Sequence, residues 1–206
     1  MLRIWGRTNS LNVQKVMWAV GELRLEHERI DAGGAFGQLD TPEYGRLNPN
    51  RRIPTIEDGA LVVWESNACV RYLAARYGAG TLWPEDPGRR ARSDMWMDWS
   101  TTTVLPDLTP VFMQLVRTPP ERQDRALIDA CAARLADAFR LLDDHLGHTP
   151  FVAGDELTIG DIPLGCCFWR YQNLDIDRPG LPNCQLWYQH LKTRDPYRRH
   201  VMLPLT

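Results

Sequence analysis

Apolar and polar positions follow two different periods along this chain. Up to residue 78, short strand-like runs mix with helical spacings; from residue 89 onward only helical spacing recurs. Leu2-Arg3-Ile4-Trp5 predicts a strand. Beyond a polar loop from Gly6 to Ser10, the residues Val13, Val16, Met17, Val20 and Leu23 return every three or four positions, which marks one face of a helix. A second strand is expected at 28–31, followed by a glycine-containing loop, 32–40, that carries no clear period. Thr41-Pro42-Glu43 offers a capping oxygen, a proline at the first helical position and an acid in the first turn, so a short helix is expected to run to Leu47 and stop before Pro49.

Residues 53–57 and 60–64 flank Asp58-Gly59 and predict an antiparallel hairpin with the turn on that dipeptide. Ser66 is expected to cap a helix on which Ala68, Cys69, Tyr72, Leu73 and Tyr77 share a face and which Gly78 ends. The order is therefore β-α-β-α-β-β-α. A glycine-, proline- and acid-rich stretch around Trp83-Pro84 follows as a linker, and helices are expected at 89–116, 121–146, 161–171 and 183–193. At Thr158 and Asp161 a variant capping box is expected, each residue serving the other's amide, with Leu157 and Ile162 as a hydrophobic staple. The division expected is 1–78, a linker at 79–88, and a helical bundle at 89–206.

Composition narrows the function classes. The 206 residues are 44% hydrophobic and 24% charged, an ordinary globular balance, and the net charge of -2 comes from acids and bases mixed throughout. With no basic stripe, neither nucleic acid nor a membrane surface is an expected partner. No apolar run approaches the roughly 20 residues of a membrane span, and no leader pattern is recognised at Met1, so a cytoplasmic location is expected. Five cysteines show no C-x-x-C spacing; no metal site is expected, and each is read as a small buried apolar residue.

Three polar clusters in the first half carry chemistry. Asn9-Ser10-Leu11-Asn12 lies between the first strand and the first helix. Ser10 or Asn9 there either caps the helix or joins its unpaired amides in stabilising a thiolate. Glu65-Ser66 opens a later helix, where a carboxylate suits an ammonium group and a hydroxyl with helix-start amides suits a carboxylate; an N-cap beside a solvated acid is the plainer reading. The third is Asn48-Pro49-Asn50-Arg51-Arg52-Ile53-Pro54.

Together, in this order, the clusters resemble the glutathione S-transferase family in its serine-type, theta- and phi-like bacterial branch. Trp64-Glu65-Ser66-Asn67-Ala68 is similar to the family's E-S-x-A-I helix start, with Cys69 in place of isoleucine, and residues 48–54 are similar to N-P-x-G-x-V-P. The resemblance implies a thioredoxin-like N-terminal domain, an all-helical C-terminal domain, and glutathione as co-substrate with no prosthetic group. It places the sulfur contact on Ser10 first and Asn9 second, with Thr8 close enough to assist. It assigns glutathione contacts to Asn12, Gln38, Arg52, Ile53, Pro54, Glu65 and Ser66, with the Ile53–Pro54 bond cis. Arg51, where glycine is commoner, departs from the pattern; its side chain is expected either to alter a left-handed turn or to point into solvent. A hydrophobic electrophile is the implied second substrate, lined by Trp99 and Thr103 and, from the last helices, Trp169 with the segment from Val201 to Leu205; an aromatic stripe by itself is more often core or domain interface than substrate wall. A homodimer and a detoxifying conjugation are implied. The rivals are a glutathione-dependent peroxidase or isomerase and a non-catalytic glutathione-binding protein. Disulfide exchange is disfavoured because no cysteine precedes Cys69.

Overall fold

The computed structural model describes residues 1–206. Four strands, β1 (Leu2–Trp5), β2 (His27–Ile30), β3 (Thr55–Asp58) and β4 (Leu61–Trp64), form one sheet in the order β2-β1-β3-β4. β1 runs parallel to β2 and antiparallel to β3, which pairs antiparallel with β4. A parallel pair needs a long crossover, and α1 (Leu11–Glu22) supplies it. Leu2 and Ile4 point into the core with α1 and α3 (Ser66–Tyr77), whereas Trp5, on the alternate face, meets Tyr44 of α2 (Pro42–Leu47) edge-on at 5.6 Å. Thr41 caps α2 as expected, accepting from the Tyr44 amide at 3.2 Å.

Several local expectations shift. β2 begins and ends one residue earlier, and Gly34–Phe36 is a 3-10 turn in the stretch left without a period. The hairpin register pairs Asp58 with Leu61, so the turn is Gly59-Ala60 rather than Asp58-Gly59, and only Gly59 takes a positive φ, 62°. Asp58 stays in the strand because its carboxylate accepts from the hydroxyls of Tyr72 and Tyr77 at 2.7 and 2.6 Å.

The second half is helical throughout. Asp86 caps α4 (Pro87–Trp99), which continues through Ser100–Val104, α5 (Leu105–Phe112) and Met113–Arg117 as one run. Ser100–Val104 and Met113–Arg117 are wide π turns. Pro106 and Pro110 cannot donate to the carbonyls four residues back, and widening the turn relieves the ring clash. α6 (Arg125–Leu146) starts four residues later than expected because Asp124 caps it and Pro120–Arg122 forms a separate 3-10 turn. α7 (Asp161–Gln172) and α8 (Pro182–Lys192) lie where expected; α9 (Asp195–His200), too short for periodicity to reveal, was not expected.

The capping box forms by half. Asp161 Oδ2 accepts from the Thr158 amide at 2.9 Å, but Thr158 Oγ1 accepts from Gly160 N, not from Asp161 N. The carboxylate also accepts from Val152 N and Trp187 Nε1, which makes it a buried hub joining three segments. Burial pushes its pKa up to about 6 against the pull of these donors.

One hydrophobic core of 44 buried residues runs through both halves. Gly165 of α7 sits so close to α1 that a Cβ there would lie 2.7 Å from the Trp18 ring. Trp18 meets Tyr197 of α9 edge-on at 4.7 Å, and Glu22 at the end of α1 holds Arg194 through two bonds of 2.8 and 2.7 Å. On the other side, Asn67 Nδ2 donates to Met97 O and Thr101 Oγ1, and Arg71 pairs with Asp94 at 2.6 Å. No helix is long and apolar enough to cross a membrane.

Candidate active site

The loop between β1 and α1 is fastened from β2. Gly6 N donates to Ile30 O, Arg7 N to Ala32 O, and the Arg29 guanidinium to Gly6 O. A Cβ on Gly6 would collide with Val13 at 2.4 Å, so the loop lies directly on α1. At its end Ser10 occupies the N-cap position with extended backbone, yet its side chain makes no capping bond and has no other partner. The capping reading of Ser10 therefore fails. Ser10 O accepts from Gln14 N, while the amides of Leu11, Asn12 and Val13 remain unpaired, as the start of a helix requires. Asn9 differs: its Nδ2 donates to Thr206 Oγ1 at 2.6 Å, and its Oδ1 is buried without a partner.

Glu65 precedes α3 with φ 68° and ψ 116°, a conformation that side chains rarely adopt. It holds the N-cap position, which makes Ser66 the first helical residue instead of the cap. The Ser66 hydroxyl donates across to Asn12 Oδ1 at 3.2 Å, tying the starts of α1 and α3 together. Ser10, Asn12, Glu65 and Ser66 are thus gathered at adjoining helix N-termini although 54 positions separate Asn12 from Ser66.

The Ile53–Pro54 bond is cis, and neither the amide nor the carbonyl of Ile53 pairs with another backbone group. The segment before it is held by residues to which sequence reading assigned no role. Buried Asn48 accepts from Asn50 N and donates to Arg52 O and Thr55 Oγ1, and Tyr44 Oη donates to Arg52 O at 2.6 Å. Asn48 stood inside the recognised motif, and that was the only available signal. Arg51 does take a left-handed φ of 52°. Its side chain stays exposed but is not free: the guanidinium donates to the carbonyls of Leu39 and Thr41 at 2.7 and 3.0 Å. Arg52 and Gln38 are both exposed near this turn, Gln38 with φ 73°.

Residues 9–76 match the family model of the glutathione S-transferase N-terminal domain, and residues 125–190 that of the C-terminal domain. The chain is 41% identical, over the full length of both, to glutathione S-transferase GstB of Escherichia coli K12. The chain belongs to the glutathione S-transferase family. It superposes with a TM-score of 0.96 on the theta class transferase of Xanthomonas axonopodis pv. citri with glutathione bound, at 44% identity, covering 100% of this chain and 99% of that one. The apo form of that theta class enzyme gives 0.88 at 38% identity, covering 100% and 98%.

In this transferase the helical half reaches the first loop through its tail. Trp169 Nε1 donates to Leu203 O at 3.0 Å, which directs the last residues past α7, and the Arg117 guanidinium binds the backbone oxygen of Thr206 beside Asn9. Trp99 and Thr103 are placed differently from expectation. The residue of their run that meets α3 is Thr101, and positions two apart on a helix face opposite ways. Trp99 accordingly packs edge-on against Trp96, which lies on His145 of α6, and belongs to the packing of the bundle. All five cysteines are buried, free thiols, and burial raises each pKa.

Proposed function

We propose that the chain joins the thiolate of glutathione to an electrophilic carbon, with Ser10 donating the hydrogen bond that holds the sulfur. The observation that carries this reading is the Ser10 hydroxyl, which stands at the α1 N-terminus without a partner while Asn9 is taken up by Thr206. A free thiol has a pKa near ~8.5, and lowering it by ~2 units takes roughly 2.7 kcal/mol. One charge-assisted hydrogen bond together with a helix N-terminus supplies about that much. The sulfur is then a thiolate before the electrophile arrives, and proximity does the rest.

The remaining contacts orient the tripeptide. The Glu65 carboxylate takes the γ-glutamyl ammonium, and Ser66 with the first α3 amides takes the neighbouring carboxylate. Asn12, bonded to Ser66, steadies that clamp. The unpaired amide and carbonyl of Ile53, presented by the cis Pro54, pair with the cysteinyl backbone. Arg52 and Gln38 reach the glycyl carboxylate. The division 1–78, 79–88 and 89–206, a homodimer, a cytoplasmic location and a role in detoxification belong to the same reading. On the helical side the wall consists of Phe112 and the tail fixed by Trp169.

Steady-state conjugation by Ser10→Ala tests the proposal. Turnover is expected to fall about tenfold, the equivalent of ~1.4 kcal/mol, because the helix N-terminus remains, while the affinity for glutathione stays within a few fold. Unchanged turnover would remove Ser10 from the mechanism.

A further inference from the structure

Most arginines of this chain find an oxygen: Arg29 pairs with Asp31, Arg71 with Asp94 and Asp98, Arg134 with Asp107 and Arg194 with Glu22. Four cations beside the first loop find no side-chain carboxylate. Arg7, Lys15, Arg117 and Arg170 take part in none of the ion pairs. Arg117 bonds only the Thr206 backbone oxygen, and the side chains of the other three make no hydrogen bond at all. Lys15 is 1% exposed and Arg170 9%, with Arg170 Nε wholly enclosed and unpartnered.

These groups come from both halves of the molecule and converge. Arg7 lies on the first loop over Gly33 and Gly34, and Lys15 is inside the α1–α7 contact. Arg117 and Arg170 bracket the ring of Phe112, at 5.7 and 3.9 Å from its centroid. Burial and mutual repulsion lower the pKa of Arg7, Lys15 and Arg170, that of Arg170 to about 10. Glu65 favours the charged form of Lys15 but forms no ion pair with it. Of the four, Lys15 and Arg170 are buried; uncompensated buried cations are expensive unless an anion joins them, and a planar guanidinium on a ring face is oriented to receive a carboxylate in two bonds.

We infer that the second substrate of this transferase is a small anionic electrophile, its carboxylate held by Arg117 and Arg170 beside Phe112, with Arg7 and Lys15 supplying field. The inference rests on the conjugating role of Ser10 and refines which electrophile that role serves. In the step itself the glutathione thiolate attacks the carbon next to the carboxylate. A carbon–sulfur bond forms as the bond to the leaving group breaks, the leaving group departs with its electron pair as an anion, and the thiol proton has already gone to solvent. In water two anions repel as they approach; the cation cluster removes that barrier on the enzyme.

Iodoacetate and iodoacetamide differ in charge and little else, so the test is the rate of glutathione conjugation with each, divided by its uncatalysed rate. The buried cysteines, with raised pKa, keep the protein itself from consuming the reagents. Acceleration of iodoacetate is expected to exceed that of iodoacetamide by at least tenfold, and Arg117→Gln and Arg170→Gln should each reduce that preference at least fivefold. Arg117 is exposed, so its replacement does not endanger the fold. Equal acceleration of both reagents would overturn the inference and leave the conjugating role standing. Variants that raise KM for glutathione and keep the preference would assign the cluster to glutathione's own carboxylates, overturning it likewise. If neither reagent were accelerated, the conjugating role would fall and the inference with it.

Discussion

Glu65 shows how much one residue reveals only in three dimensions. Its sequence neighbours mark a helix start, but the positive φ it takes is a strained state for any side chain, costing about 1–3 kcal/mol. Such strain persists where the surroundings need it, and the proposed clamp on an ammonium group is such a need. Removing the charge in Glu65→Gln should raise KM for glutathione about tenfold, the loss of ~1.4 kcal/mol, with kcat little changed; a fall in kcat alone would contradict the assignment. The family resemblance of the three clusters singled out Ser10, Glu65, Ser66 and Ile53-Pro54, where residue types by themselves read as helix caps and an ordinary trans bond. Neither could say that the Ser10 hydroxyl is free, that Ser66 reaches Asn12, or that Asn48 and Tyr44 brace the turn, because each depends on partners brought in from elsewhere.

At the scale of elements, helical period and capping chemistry located α1, α3, α7 and α8 closely, since each has an apolar stripe and a clear stop. The start of α6 and the whole of α9 escaped because prolines and charges there mask a period only one or two turns long. Packing between elements gives two predictions. Gly165→Ala would press a methyl group onto Trp18 and Leu191, which cannot withdraw from a full core, so it should cost about 1–3 kcal/mol in denaturant unfolding. Asp161→Ala would orphan the amides of Val152 and Thr158 and the indole of Trp187, and a loss of about 3–5 kcal/mol is expected.

Asp161 also imposes a pH dependence. Its folded pKa, about 6, lies above the ordinary 3.8, so the folded state holds the proton more tightly than the unfolded chain does. The stability this contributes is fully present below pH ~4 and is lost as pH rises through ~6, a change of order 3 kcal/mol. Unfolding measured at pH 4 and pH 7 should therefore show a larger decline for the wild type than for Asp161→Asn. An equal decline in both would show that burial does not lift this carboxyl.

Over the whole molecule, the two-part architecture was legible because strand and helix periods segregate so cleanly along the chain. Its closure was not. Asn9 and Thr206 meet across 197 positions, and Glu22 and Arg194 across 172, separations that no local pattern encodes. These contacts and the shared core of 44 residues make the halves one cooperative unit. Fluorescence of the tryptophans and far-ultraviolet dichroism should report the same denaturation midpoint; two separated transitions would show that the halves unfold independently. Light scattering should give twice the 23.7 kDa of a single chain, and a value near one chain would remove the homodimer from the proposal.

The central claim is that Ser10, at the start of α1, holds glutathione as a thiolate. Titrating glutathione bound to the purified protein while recording thiolate absorbance tests it most directly. The account predicts a bound thiol pKa well below that of free glutathione, raised by at least about one unit, ~1.4 kcal/mol, in Ser10→Ala and less in Asn9→Ala. A bound pKa no lower than the free value, or one that rises only in Asn9→Ala, would contradict it.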